Sequence, residues 1–270
     1  MSVVAFFYRI PATAGWGGSS GFSRFHAMSE LSPLIFTIAI FLGGVVSGFS
    51  GFAFSAVSGV ILLHFLEPLV AIPLMMCCSI ASQISSLAVI RQFVQWRESA
   101  PLLVGGAAGV PIALYFLTLT NAHVFRILIG IFLVIYAIYS LTRPGFGMVR
   151  QAASPVIRTI VGFAGGLVGG LTAMPGSLPI IWCDLRGLSK EQQRGEVQPF
   201  ILMVQALAMT LLISRPGTNR PDFLSLLPLA IPAVVAGTLV GILLWGKIDD
   251  AKFRYSILSM LLISGLMLIR

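Results

Sequence analysis

Two short segments concentrate the chemistry available to this sequence: Ser50-Gly51-Phe52-Ala53-Phe54-Ser55 and Thr172-Ala173-Met174-Pro175-Gly176-Ser177. Both lie inside long stretches without a charged residue. Glycine and proline in such a setting break a helix and free backbone N–H and C=O groups, which persist at membrane depth only inside protein or facing water. An interrupted helix presents unpaired N–H groups and a partial positive charge, an arrangement suited to a small anion. Ser55 and Ser177 add hydroxyl donors, and as N-caps they would start the second half-helices. The competing reading is that the small residues only let helices pack closely.

Gln83 and Gln205 sit in otherwise apolar stretches. A buried amide costs stability unless it is hydrogen-bonded. They either donate N–H groups to a substrate or join helices. The run from Trp182 to Phe200 is the most polar near an apolar core. Its Arg186, Arg194 and Gln198 can draw an anion toward the break, since arginine suits oxyanions through its forked donors. Asp184 and Glu196 are the neutralising alternative. An Asp184–Arg186 structural pair is expected, while Arg194 is open to either role. Phe54 and Trp182 are expected to gate or shape the site.

His26, His64 and His123 lack metal-ligand spacing. Cys77, Cys78 and Cys183 form no C-x-x-C and read as small buried hydrophobes. Walker A, G-x-G-x-x-G and H-E-x-x-H patterns do not occur, so nucleotide and zinc chemistry have no support and no cofactor is expected.

The elements that must hold these residues follow from charge. Of 270 residues, 57% are hydrophobic and 10% are charged, with mean hydropathy +0.97. A soluble domain carries about 25% charged residues, so an ordinary globular domain, a disordered chain and a nucleic-acid binder are excluded. The net charge of +8 reads as membrane topology. Charge-free runs cover 31–66, 68–90, 99–125, 127–142, 159–183, 197–214, 223–246 and 255–269. A crossing takes about 20 apolar residues, which predicts an all-α, polytopic protein with about eight membrane elements. Run 31–66 is too long for one straight crossing, so it must break or fold back, and 159–183 has the same character.

At an offset of 122, Gly44-Val-Val-Ser-Gly lies over Gly166-Leu-Val-Gly-Gly, Ser55 over Ser177 and Gln83 over Gln205; at 128, Phe125-Arg126 lies over Phe253-Arg254. The order points to duplication. The expected division is an extension over 1–30 with a start at Met28, a repeat over 31–142, a cytoplasmic linker over 143–158 with turn signals at Arg143-Pro-Gly and Ser154-Pro155, and a second repeat over 159–270. Inversion of the halves puts Arg91, Arg97, Arg143, Arg150, Arg158, Arg186, Lys190, Arg194, Lys247, Lys252 and Arg254 on the cytoplasmic side, against Arg126, Arg215, Arg220 and Arg270 outside. That asymmetry favours inversion over a parallel arrangement. Each glycine-rich segment then enters the membrane and returns.

The chain resembles the TauE/SafE family of sulfite-exporter-like membrane proteins. The resemblance rests on Gly48-Phe-Ser-Gly-Phe-Ala-Phe-Ser, on Gly169-Gly-Leu-Thr-Ala-Met-Pro-Gly-Ser, and on Trp182-Cys-Asp-Leu-Arg-Gly with Gln193-Arg194 and Gln198-Pro-Phe. It covers about residues 34–269. Gly51-Phe-Ala-Phe-Ser replaces the family's usual first-half G-x-G-G-G cluster. The resemblance implies a duplicated fold in the inner membrane that moves small sulfur-containing or organic anions outward.

The expectation is a secondary transporter, an exporter of a small anion working by alternating access. Its site would comprise Ser50, Gly51, Phe54, Ser55, Gln83, Thr172, Pro175, Gly176, Ser177, Trp182, Arg194, Gln198 and Gln205. The expected partners are the anion and the bilayer, with a homodimer left open and no nucleic acid. The rivals are a membrane-embedded enzyme and a non-transporting assembly factor.

Overall fold

The computed structural model describes residues 33–66, 68–119, 122–142, 154–172, 175–213 and 221–269. The extension over 1–30 and the linker up to 153 lie outside them. Ten α-helices follow in order: α1 (Pro33–Ser50), α2 (Phe54–Phe65), α3 (Pro68–Ile90), α4 (Trp96–Leu119), α5 (Ala122–Leu141), α6 (Pro155–Thr172), α7 (Ser177–Leu185), α8 (Lys190–Ile213), α9 (Leu227–Trp245) and α10 (Asp250–Ile269). Short 3-10 turns occupy Arg91–Phe93 and Pro221–Leu226, and no strand occurs among the described residues.

The eight charge-free runs become ten helices because 31–66 and 159–183 each split in two. Both splits fold back. The Ser58 hydroxyl of α2 donates to the Ala39 carbonyl of α1 (3.1 Å). Pro179 of α7 lies against Gly165 of α6 in the same hairpin sense. Three stretches, Pro33–Ser50, Pro73–Phe93 and Phe223–Trp245, are long and apolar enough to cross a bilayer by themselves. The other long helices carry charge in their opening turns, as at Glu98 and Glu191, or have shorter apolar stretches, as in Gly130–Leu141 and Pro155–Gly170.

One boundary differs from the sequence reading. Ser154-Pro155, expected to be a turn before a span at 159, instead starts α6. Proline is pre-organised for a first helical position, and the Ser154 hydroxyl accepts the Val156 N–H at 3.1 Å. Arg158 is thereby buried inside the helix rather than placed in a linker.

Glycines set the main packing. Gly44 and Gly48 of α1 lie on the backbone of Val234 and Thr238, while Gly237 and Gly241 of α9 lie on Phe41 and Val45. Positions rise together, so α1 and α9 run parallel. Gly162 and Gly166 of α6 lie on Leu102 and Gly106, so α6 and α4 run parallel as well. These are close-packing seams of small residues. In contrast, α5 and α10 run antiparallel: Arg254 Nη2 donates to the Ser140 carbonyl (3.1 Å), and Gly265 lies on Gly130. A polar chain ties three helices, from Thr238 Oγ1 to Ser82 Oγ (2.9 Å) and on to Ser47 Oγ (2.8 Å).

Two apolar clusters form the interior. One surrounds Phe200, Ile201, Trp245 and Phe253. The other gathers Phe36, Ile40, Phe54, Leu62 and Val234. Outward faces carry Leu34, Leu42, Ile160, Leu243 and Leu266, all exposed, which matches a molecule whose surroundings are lipid.

Gly195 of α8 makes a further close crossing, because a methyl group there would overlap the Phe93 carbonyl oxygen. Gly195→Ala is expected to cost about 2 kcal/mol through forced displacement, read as a lower unfolding temperature in detergent. Unfolding at the wild-type temperature would show that the crossing relaxes freely.

Candidate functional site

The first break is built by Gly51. It closes α1 by donating its N–H to the Ser47 carbonyl (2.7 Å) and adopts φ +90°, a left-handed conformation that a side chain would strain. Ser50 secures the turn: its hydroxyl donates to the Val46 carbonyl (2.8 Å) and receives the N–H groups of Phe52 and Ala53 at 3.3 Å. Gln83 reaches over from α3 and donates its amide to the Gly51 carbonyl (2.8 Å). Gln83→Leu leaves that freed carbonyl without its donor. The expected loss is about 1–3 kcal/mol, checked by thermal unfolding; an unchanged transition would assign the amide no role in the break.

The second break approaches the first. A Cβ at Gly176 would stand 3.1 Å from Phe52 Cβ and also strike Ile201. Pro175, Gly176 and Ser177 are buried there. Thr172 ends α6, and its side chain lies outside what is described. The expected N-caps are corrected. Ala53 and Gly176 precede α2 and α7, and neither helix start has a side-chain cap bond. Ser55 sits half-buried one residue inside α2, and Ser177 is the first residue of α7, so each lies past the position from which a hydroxyl caps.

Beside the first break is a small cavity lined by Ser50, Gly51, Ile180, Gln193, Arg194, Val197, Gln198 and Ile201. The lining mixes aliphatic and polar side chains. Arg194 was expected on a cytoplasmic loop. It lies instead in α8 at 2% exposure, because the helix starts at Lys190 and turns this side chain inward. Its Nη2 donates to Ser86 Oγ (2.6 Å). With the Gln198 amide oxygen turned toward the guanidinium, that oxygen accepts from Nε (3.1 Å) and Nη2 (2.8 Å), and the amide nitrogen donates to Ser86. The guanidinium carbon stands 4.6 Å from the Trp245 ring centroid, in cation–π range. Nη1 is buried without a partner, and so is the Gln193 amide nitrogen.

The neighbouring charges are all paired. Glu196 binds Arg158 (3.1 Å) and Arg186 (3.3 Å), and Arg158 also meets Glu98. Asp184 binds Arg254 (2.6 Å) and accepts the Tyr136 hydroxyl (2.6 Å). The expected Asp184–Arg186 pair is therefore corrected: each residue has a different partner. Residues two apart on a helical path do not face each other, so they turn to separate helices. No carboxylate among the described residues pairs with Arg194.

The structure thus brings Ser50, Gly51, Arg194 and Gln198 to one cavity, with Gln83 supporting its wall. Phe54 packs fully buried in the second apolar cluster. Trp182 is half-buried with Arg186 6.0 Å from its ring. Gln205 lies about two turns beyond Gln198 along α8, buried, with its amide oxygen unpartnered. None of these three lines the cavity. Sequence reasoning missed Gln193, Ser86 and Trp245. Ser79, Ser82, Gln83 and Ser86 recur at helical spacing in α3, which is a readable polar stripe. Trp245 offered no such signal, since its contact depends on where α9 ends.

A family model described as Sulfite exporter TauE/SafE matches residues 36–268. No curated protein and no solved structure matches.

Proposed function

The chain belongs to the sulfite exporter TauE/SafE family, and on that premise we propose that it is a multi-pass secondary transporter of the inner membrane that exports a small anion by alternating access. One observation supports the site: Arg194 is buried with no carboxylate partner among the described residues, and a free N–H of its guanidinium accompanies a free amide N–H of Gln193, which also lines the cavity beside the broken helix. A buried cation without a counter-charge is costly. An anion that enters the cavity supplies the missing charge. Ser50 and Gly51 form the wall, Gln198 and Ser86 orient the guanidinium, and Gln83 holds the break.

The proposed architecture is an inverted duplication, α1–α5 and α6–α10. Three correspondences support it. Pro33 and Pro155, which start α1 and α6, are 122 residues apart, as are Pro68 and Lys190 at the starts of α3 and α8. Ala122 and Asp250, which start α5 and α10, are 128 apart. The matching helices α5 and α10 pack antiparallel, as inversion requires. In such folds one half moves against the other around the site. Export follows the membrane potential, since expelling one negative charge gains about 2.3 kcal/mol per 100 mV.

A membrane-embedded enzyme would need a nucleophile and a base at one depth, whereas this cavity offers amides, a hydroxyl, a guanidinium and aliphatic side chains. The test is a thermal-shift screen of small anions on detergent-purified protein. At least one small oxyanion is expected to raise the unfolding temperature, because a ligand of the folded state stabilises it. Absence of a shift with every small anion would remove the anion site.

A further inference from the structure

The charge count around the cavity goes beyond the identity of the site to the charge of what it holds. This step rests on the reading that the cavity binds an anion. The charged groups on the helices around α8 pair with one another rather than with Arg194. Glu98 of α4, Arg158 of α6, Arg186 at the end of α7 and Glu196 of α8 form one group of two cations and two anions. Asp184 of α7 is matched by Arg254 of α10. Lys190, 5.2 Å from the Trp245 ring, donates to the carbonyls of Trp245 and Ile248 and stands 3.8 Å from Glu191. α1, α3 and α9 contribute the hydroxyls of Ser50 and Ser86 and an indole face, with no formal charge. Among these described groups, one positive charge is left over, on Arg194.

We propose that the cavity takes singly charged oxyanions and excludes doubly charged ones, so that an oxyanion with a second ionisation near neutrality is bound as its hydrogen form. One negative charge neutralises Arg194, and two oxygens of the anion can accept from Arg194 Nη1 and Gln193 Nε2. A second negative charge finds no cation. It would be buried against Ile180, Val197 and Ile201. An uncompensated buried charge is heavily penalised, so the dianion is expected to bind at least about hundredfold more weakly.

The experiment titrates purified full-length protein by thermal shift with three probes: methanesulfonate, a monoanion throughout; sulfate, a dianion throughout; and sulfite, whose hydrogen form is lost near neutrality. Between about pH 6 and about pH 8, methanesulfonate should keep one midpoint concentration. The total sulfite needed should rise about tenfold per pH unit once the second ionisation is passed. Sulfate at about hundredfold higher concentration should give no shift beyond the general salt stabilisation that it also gives Arg194→Met. Gln193→Lys adds a second cation to the cavity wall and should gain sulfate binding. Sulfate binding as tight as methanesulfonate in the unmodified protein, or a sulfite midpoint unmoved by pH, would overturn the charge rule and leave the anion site standing. No shift with any probe would defeat the anion site itself.

Discussion

Replacing Arg194 with methionine is expected to abolish anion binding while leaving the protein at least as stable as before. Truncating one partner of a buried charge-assisted contact costs about 2–5 kcal/mol, which weakens the anion by about thirtyfold or more. Stability should move the other way. The guanidinium is buried at 2% exposure with Nη1 unpartnered, and no carboxylate among the described residues pairs with it. Well-packed apolar replacements of buried charge are often neutral or stabilising, by about 1–4 kcal/mol. The groups left behind can still satisfy each other, since the turned Gln198 amide has its nitrogen 3.2 Å and its oxygen 3.0 Å from Ser86 Oγ. The unfolding temperature and the anion-induced shift, measured on one preparation, separate the roles. A large fall in unfolding temperature with anion binding retained would make Arg194 a structural residue.

Glu196→Gln, two residues along the same helix, should have the opposite effect on stability. Glu196 is 2% exposed and neutralises both Arg158 and Arg186. Without it, two guanidinium groups remain inside the protein. Only Glu98, whose side chain is 39% exposed, is left to face Arg158. Breaking a buried pair by removing one partner costs about 3–5 kcal/mol. A large drop in unfolding temperature is therefore expected, with α6 and the end of α7 losing their common attachment to α8. Unfolding at the wild-type temperature would show that this ion cluster does not hold those helices together. The two variants thus remove one charge each from neighbouring positions and diverge, because one charge is paired and the other is not.

Much of the helix plan was readable from where charges are absent. A 36-residue gap from 31 to 66 exceeds one crossing, and one of the glycines inside it, Gly51, falls between the end of α1 and the start of α2. Gly51 could be singled out only in part. Gly44, Gly48, Gly162 and Gly166 look the same in sequence, yet they serve helix contact, while Gly51 turns the chain at positive φ. That difference depends on which backbone lies opposite. Charge pairing was read least well. Asp184, Arg186, Glu196 and Arg194 crowd one short segment, and local spacing could not show that Arg254 and Arg158 arrive from α10 and α6 to claim the carboxylates. Once those partners are placed, Arg194 is the charge left unpaired. Phe54 was expected at the gate because it adjoins the break, but α2 turns it into the second apolar cluster.

The most direct test of anion transport through this cavity is sulfite flux in proteoliposomes under a membrane potential, with wild-type protein and Arg194→Met compared at equal reconstituted amounts. Wild-type vesicles should carry sulfite at a rate that rises with the potential, and Arg194→Met vesicles should match protein-free liposomes. Flux in Arg194→Met equal to wild type, or no flux of sulfite or any other small anion by the wild type, would contradict it.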